Sequence, residues 1–427
     1  KASGAAGKCK APKCPFVYVY ESAPISKLLL KQLDAGFDEK INTDMILHKA
    51  ILDSGCTVSD PSQASFFFVP YYSSTKYPKE MPKTRPFCEL INHLQTDYRD
   101  SIYWKRNGQR DHALAVTRIA DSYVLEKMIS ATNSRISLHV IESLHARNAT
   151  FPLPYPIHQI SSGKSIMADP AEREPGAPAM GLAFFAGSST LNSMSGNSST
   201  AMRLSLRQAM QDRPSDCLFM ETRRVGGNTH NVVNQVWKDR RKANHMVDTS
   251  ADFWFCPVPP GDSASSARFF DSFWRLCIPV LIGTKWELPF RHIIPYEKII
   301  IAMPKASLAS PAAAAKALSQ LAQISIEERV KRRKLMLQYK YLFDLRYLPQ
   351  RPTGVRAILR FYANRARELC RRGVRKLPAV DRGWEDFRKS ECEQSESPTS
   401  RRPAQQSTSV GGVVRVTKSE RGAADEG

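Results

Sequence analysis

Arg268, Asp271 and Arg275 are spaced i, i+3 and i+7, so a helix through them carries two guanidinium groups and a carboxylate on one face. Phe270, Phe273 and Trp274 fall on the opposite face, which makes the segment amphipathic. Just upstream, Gly261-Asp-Ser-Ala-Ser-Ser266 is a turn-rich loop, and Ser265 or Ser266 can cap the helix. A helix start beside an arginine suits an anion, because backbone N–H groups and the helix dipole both favour negative charge there. Arg268, in the first turn, can reach a diphosphate, while Asp271 can accept from ribose hydroxyls. The same residues also fit a plain intrahelical Arg–Asp pair worth about 0.2–0.5 kcal/mol, and spacing alone leaves the two readings even.

The elements around this segment decide where such a site would lie. Phe253-Trp-Phe-Cys256 reads as an apolar strand, residues 257–265 as a loop, 266–276 as the helix and Ile278-Pro-Val-Leu-Ile282 as the next strand. Together they form one βαβ unit of a parallel sheet, whose ligand site lies at the carboxyl ends of the strands. Upstream, Phe16-Val-Tyr-Val-Tyr20, Phe66-Phe-Phe-Val69, residues 112–117 and residues 136–141 read as strands. Helices are expected over 43–54, with Gly55 as terminator, and from near Asp121. Asp60-Pro61 opens a short helical turn. Strands alternating with helices predict an α/β fold. The stretch 161–180, rich in Ser, Pro, Ala and charge, reads as a linker between two domains covering 15–160 and 181–310. Leu182-Ala-Phe-Phe-Ala186 restarts strand character, ends at Gly187, and is followed by a Ser/Asn/Gly loop to Thr200 and a helix over 202–210.

Residues 1–14 read as a linker and 311–370 as C-terminal helices, including an Ala-rich one over 311–323. Ser325-Ile-Glu-Glu328 forms a capping box for a helix expected to reach about Tyr347. Residues 371–427 lose apolar periodicity and are expected to be disordered.

At 427 residues and 42% hydrophobic content, the chain can bury two ordinary cores. Its net charge is +21, which fits a solvated basic surface, with 331–334 and 365–375 as main contributors, or an acidic glycan or anionic surface as partner. No zinc-finger spacing or aromatic RNP-like strand accompanies the charge, so nucleic acid is not expected. Nine cysteines show no CxxC pair. Cys56, Cys256 and Cys277 sit in apolar runs and read as buried hydrophobes, whereas Cys9, Cys14 and Cys88 are the disulfide candidates. Asn148-Ala-Thr150 and Asn197-Ser-Ser199 are glycosylation sequons. No apolar run of about 18–20 residues is present, and the chain begins at Lys1, so an anchor is expected to lie outside this sequence. His48, His93, His139, His230, His245 and His292 show no ligand pairing, and no Asp-x-Asp triplet occurs, so no metal is expected.

Gly261-Asp-Ser-Ala-Ser-Ser-Ala-Arg-Phe-Phe-Asp271, Cys277-Ile-Pro-Val280 and Glu287-Leu-Pro-Phe290 resemble, in order and spacing, the donor-binding region of exostosin-type glycosyltransferases (family 47), above all plant-type members. Upstream, Tyr18-Val-Tyr-Glu21, Phe67-Phe-Val-Pro-Tyr71, Tyr103-Trp-Lys-Arg106 with Arg110-Asp-His112, Pro154-Tyr-Pro156 and Phe184-Phe-Ala-Gly187 with Arg203 resemble other family elements. The similarity runs from about residue 15 to 300. Three departures stand out: Gln109 where the family usually carries Gly, the stiff Val258-Pro-Pro260, and Trp274-Arg-Leu276 in place of smaller residues.

The resemblance implies a GT-B fold of two facing Rossmann-like domains, with acceptor on the first and donor on the second. It implies an inverting transfer from a UDP-sugar to a polysaccharide or glycan acceptor, with no cofactor. Donor contacts would come from Gly187, Arg203, Gly261, Ser265, Ser266, Arg268 and Asp271, and the base would be Asp111, with His112 second. The Asp–His pair can equally serve to cap a turn. It also implies a Golgi type II membrane protein and a dimer with another transferase or a second copy. Two other classes compete: an inactive transferase-like scaffold, separated by Arg268→Ala, and a basic polyanion-binding protein, whose affinity would track salt and ignore UDP.

Overall fold

A computed structural model describes residues 15–20, 43–72, 88, 90, 92–94, 102–117, 136–141, 150–155, 174–189, 197–225, 228–232, 249–261, 265–283 and 286–372. Residues 1–14, the helix expected near Asp121, most of 161–180 and the tail beyond 372 lie outside these, as do Cys9, Cys14 and Asp262 to Ala264.

The described chain is α/β with two sheets. In the first, β1 (Val17–Val19), β2 (Phe66–Val69), β3 (His112–Val116), β4 (Ser137–Val140) and β5 (Thr150–Pro152) lie in that order, all parallel. A parallel bridge from Val17 to Thr57 extends the sheet on the far side of β1. The chain therefore reverses direction of travel across the sheet between β1 and β2, a topological switch point of the open α/β kind. Strict alternation explains how the strands serve two cores. Val17, Val19, Phe66, Phe68, Ala113 and Ala115 face one, against α1 (Thr43–Asp53); Tyr20, Phe67, Val69, Leu114 and Val116 face the other.

The second sheet has the order β11-β10-β9-β6-β7-β8, with β6 (Gly181–Gly187), β7 (Cys217–Val225), β8 (Asn228–Val232), β9 (Phe253–Val258), β10 (Ile278–Ile282) and β11 (Ile301–Met303). It is parallel except for the β7–β8 hairpin at its edge. α2 (Asn197–Gln211) precedes β7, and α3 (Ala267–Trp274) joins β9 to β10. α2 begins within the stretch expected as loop. α4 (Pro311–Ala322) and α5 (Ile326–Tyr339) follow, each with a serine cap: Ser310 accepts from the Ala313 N–H and Ser325 from the Glu328 N–H. α5 stops before Tyr347, because the chain tightens into a 3-10 turn at Lys340–Phe343.

The basic run at 331–334 is not a uniformly solvated face. Arg333 is fully buried, lies 3.9 Å over the Trp254 ring and donates to the Phe253 carbonyl at 2.8 Å. Arg329, also buried, donates to the Ala322 carbonyl at 2.7 Å. Part of the positive charge thus ties α5 to β9 and is unavailable to a partner.

α6 (Gly354–Arg372) returns to the first sheet. Tyr362 stacks on Phe66 at 4.1 Å, and its hydroxyl shares a 2.9 Å hydrogen bond with His139 Nε2. Burial drives the His139 pKa down to about 3, so the ring is neutral in the fold. The unfolded ring titrates near 6.5. Because the folded value is depressed, the contribution is complete above about 6.5 and is lost as pH falls toward 3, by up to about 1.4 kcal/mol per unit. The denaturation midpoint is expected to drop on acidification from pH 7 to 5, and less so in His139→Gln. Equal slopes for the two proteins would contradict this.

Cysteine usage differs from the expectation. Cys256 and Cys277 form a disulfide between β9 and the start of β10, and Cys56 is also disulfide-bonded, so these are cross-links and not merely small hydrophobes. Cys88, a disulfide candidate, is bonded, as is Cys370. Cysteines spread over apolar strands cannot be paired from sequence, because pairing follows from which strands become neighbours. Cys217 is a free thiol that burial pushes up to about 12, which makes it unreactive.

Candidate functional site

The carboxyl ends of the second sheet are where the loop–helix segment arrives. β9 ends at Val258, the chain passes through Pro260 and the buried Gly261, and Ser265 and Ser266 lead into α3. Ser266 is the cap residue by backbone conformation, its side chain makes no cap hydrogen bond, and its carbonyl accepts from the Phe269 N–H at 3.1 Å.

Arg268 does not extend into solvent. Its Nε donates to the Ala186 carbonyl at the end of β6, and its Cζ lies 5.1 Å over the Phe185 ring. Gly187 permits this approach: a Cβ there would stand 2.7 Å from the Arg268 Cζ and 2.9 Å from Nε. Gly187 and Arg268, 81 positions apart in sequence, are therefore one structural unit at the tip of a central strand. Arg203, fully buried on α2, takes a different part. Its Nε and Nη2 donate to the Pro260 carbonyl at 3.2 and 3.0 Å, and Nη1 to the Ser188 carbonyl at 2.8 Å. With its fork committed to two loop carbonyls, it holds the ends of β6 and β9 together and positions the site. The stiff Pro259-Pro260 step fixes the carbonyl that receives the fork.

Asp271 is buried one turn after Arg268. Arg275 caps α3 at its carboxyl end, its N–H still bonded to the Asp271 carbonyl at 3.1 Å. The next residue, Leu276, has φ of 59°, in the left-handed region. Gln109, with φ of 63°, occupies the same left-handed region, which glycine adopts most readily.

Asp111 and His112 stand elsewhere. They lie at the amino end of β3, whose carboxyl end is roughly 13 Å further along at ~3.3 Å per residue. Both side chains are fully buried. Asp111 Oδ2 accepts from Arg106 Nε at 2.6 Å and Asn107 Nδ2 at 2.8 Å, and Oδ1 from His112 Nδ1 at 2.9 Å. His112 Nε2 accepts from the Tyr20 hydroxyl at 2.9 Å. Burial works to raise the Asp111 carboxyl, but the His112 hydrogen bond, with the charge and hydrogen bond of Arg106, outweighs it and holds it below the usual carboxylate value. Burial lowers the His112 pKa more than Asp111 raises it, so the ring is neutral. α6 closes over this end, with Arg365 Nε donating to the Arg110 carbonyl at 3.3 Å.

The two sheets touch through Tyr155, which follows β5. Its hydroxyl shares a 2.9 Å hydrogen bond with Ser265 Oγ, and its ring packs on Phe270 with centroids 5.9 Å apart. The adjacent Pro154 carbonyl accepts from Thr43 Oγ1 at the start of α1 at 3.1 Å. Two helix starts thus converge on one short segment beside Ser265. Tyr155→Phe is expected to cost about 1 kcal/mol in chemical denaturation while keeping the ring contact; an unchanged midpoint would show that the hydroxyl contributes nothing.

A carboxylate that sequence reasoning passed over sits beside Gly187. Glu221 on β7 accepts from the Ser189 N–H at 2.8 Å and Ser189 Oγ at 2.9 Å, with Arg207 at 3.6 Å. Its signal was a lone acid ending the apolar Cys217-Leu-Phe-Met220 run. Among the described residues, no group of three or more His, Cys, Asp or Glu is arranged to hold a metal.

Residues 13–318 match the exostosin GT47 domain. The chain is 25% identical over 258 residues to a probable arabinosyltransferase of Arabidopsis thaliana, covering 57% of this chain and 50% of that protein. It is 26% identical over 314 residues to a probable xyloglucan galactosyltransferase of the same plant, covering 65% and 54%. A segment of 47 residues is 43% identical to exostosin-1c of Danio rerio, 11% of this chain and 6% of that protein. The chain spans about half the length of the first two relatives. With the domain match extending over most of the chain and the loop–helix site lying within it, the chain belongs to the exostosin GT47 family of glycosyltransferases.

Proposed function

We propose that the chain transfers a sugar from a UDP-sugar to a polysaccharide or glycan acceptor with inversion, using the carboxyl edge of the second sheet as donor site in a GT-B arrangement. The observation that carries this is the Arg268 guanidinium packed against Gly187 in the first turn of α3, at the carboxyl edge of the sheet. In a single displacement the acceptor oxygen forms a bond to the anomeric carbon as the carbon–diphosphate bond breaks, and the electron pair leaves with UDP. The departing diphosphate gains negative charge, which Arg268 and the α3 amides stabilise in place. Arg203 keeps the two loops in register, and Asp271 faces the nucleoside. The acceptor proton must go to a base near the carboxyl edges, where Tyr155 meets Ser265.

We assign Asp111 and His112 a structural role. A base gains from a carboxyl raised toward neutrality and within reach of the acceptor; Asp111 is held low, fully hydrogen-bonded and at the opposite end of its strand. The disulfide between Cys256 and Cys277 supports placing the domain in an oxidising lumen such as the Golgi. Among the described residues no helix is long and apolar enough to cross a membrane, so a type II anchor would be supplied by another segment. Dimerisation with a second transferase is part of the same proposal.

The test is a panel of UDP-sugars incubated with the purified chain and xylan, pectin and xyloglucan oligosaccharides. Product formation with one donor, with the anomeric configuration inverted by NMR, is expected. A protein that binds UDP yet forms no product with any pair would be a scaffold instead.

A further inference from the structure

Glu221 is nearly fully buried, and its two oxygens are treated differently. Oε1 takes both hydrogen bonds from Ser189, whereas Oε2 has no hydrogen bond among the described residues; Arg207 at 3.6 Å balances its charge from beyond hydrogen-bond reach. A desolvated carboxylate oxygen without a donor is costly unless something supplies one.

Strand register says where that oxygen lies. Glu221 is the parallel partner of Gly187, just as Phe219 is of Phe185. Partners in a parallel pair project to the same face, and the Phe185 and Phe219 rings indeed pack together at 4.8 Å. Arg268 covers Phe185 and Gly187 on that face, and adjacent strands are about 4.8 Å apart. The Arg268 guanidinium therefore fills the space left by the absent Gly187 side chain, with the Glu221 carboxylate on the neighbouring strand of the same face. Arg268 is directed to the Ala186 carbonyl, and no ion pair joins the two among the described residues.

We propose that Glu221 is a donor-recognition residue, whose Oε2 accepts a hydrogen bond from a hydroxyl of the sugar nucleotide held at Gly187 and Arg268. This rests on the donor site proposed above and adds its chemistry. A carboxylate would repel the diphosphate but makes a charge-assisted bond to a neutral hydroxyl, so the pair reads the two parts of one ligand, phosphate at Arg268 and hydroxyl at Glu221. The hydroxyl can belong to the ribose or to the transferred sugar.

Calorimetric titration of the whole chain with UDP, 2′-deoxy-UDP, 3′-deoxy-UDP and UDP-galactose separates the cases. Glu221→Gln is expected to weaken binding about tenfold. If the ribose is read, the loss appears with UDP itself, and removing the contacted hydroxyl costs the wild type about as much while costing the variant nothing further. If the transferred sugar is read, UDP binds both proteins alike and only UDP-galactose loses affinity. Glu221→Asp keeps the charge beside Arg207 and withdraws Oε2; it serves as the second variant should the first not fold, and the same hydroxyl-specific loss is expected. An equal loss for all four ligands, or none, would overturn the proposal and leave Glu221 as a residue that holds the Ser189 turn. Failure of the wild type to bind any of the four would instead sink the donor site itself.

Discussion

Arg268→Ala is expected to lower turnover of any UDP-sugar by about 10²–10³-fold and to weaken UDP binding with it, because in the proposed mechanism the charge lost is the one that meets the departing diphosphate. The effect should be specific to that charge. Arg268 packs on Phe185 and donates to the Ala186 carbonyl, so its loss also frees a buried strand end, and thermal stability must be measured beside activity. Arg268→Lys separates the two contributions. It restores a positive charge without the planar fork, so it should recover part of the UDP affinity but not the full rate. Folded Arg268→Ala protein that retains wild-type turnover would show that the helix start alone handles the anion.

The second large effect is expected at Asp111, and it falls on stability. Asp111→Ala removes the common acceptor of Arg106, Asn107 and His112 in a buried site, which is expected to cost about 3–5 kcal/mol. The Tyr20 hydroxyl, at the far end of the same chain of hydrogen bonds, would lose its fixed partner as His112 becomes free to turn. Activity discriminates this role from catalysis. A general base contributes roughly 10²–10⁴-fold, so the variant, assayed at a temperature where it remains folded, should keep turnover within about tenfold of the wild type. A cooperative, stable variant with turnover down a thousandfold would restore Asp111 as the base.

The difference between these two sites shows what could be read before any coordinates. β9, α3 and β10 were legible to within a few residues because apolar runs, a capping serine and a helical repeat all agree across 253–282, and the strand-helix-strand order alone places the loop at the carboxyl edge. Nothing comparable marked which end of β3 Asp111 occupies. Arg110-Asp-His112 is a conspicuous polar triplet, yet it precedes β3 and so lies at that strand's amino end, opposite to the edge proposed for the donor. Its partners, Arg106, Asn107 and Tyr20, come from a turn and from a strand 92 residues away.

Glu221 was illegible for a related reason. Cys217–Val225 carries Glu-Thr-Arg-Arg in the half that forms an edge hairpin, so it lacks the apolar period of the central strands. Its importance comes from lying opposite Gly187, a register that only strand pairing supplies. The left-handed conformations of Gln109 and Leu276 were equally invisible: both residues adopt the conformation that glycine favours, at a cost in backbone strain that their types do not signal.

The most direct test is a comparison of UDP with uridine by calorimetry on the unmodified chain. If Arg268 and the start of α3 form a diphosphate site, UDP should bind at least about 100-fold more tightly than uridine, with the difference shrinking as salt is raised. Equal affinities for the two ligands would mean that no such anion site exists at the carboxyl edge of the second sheet.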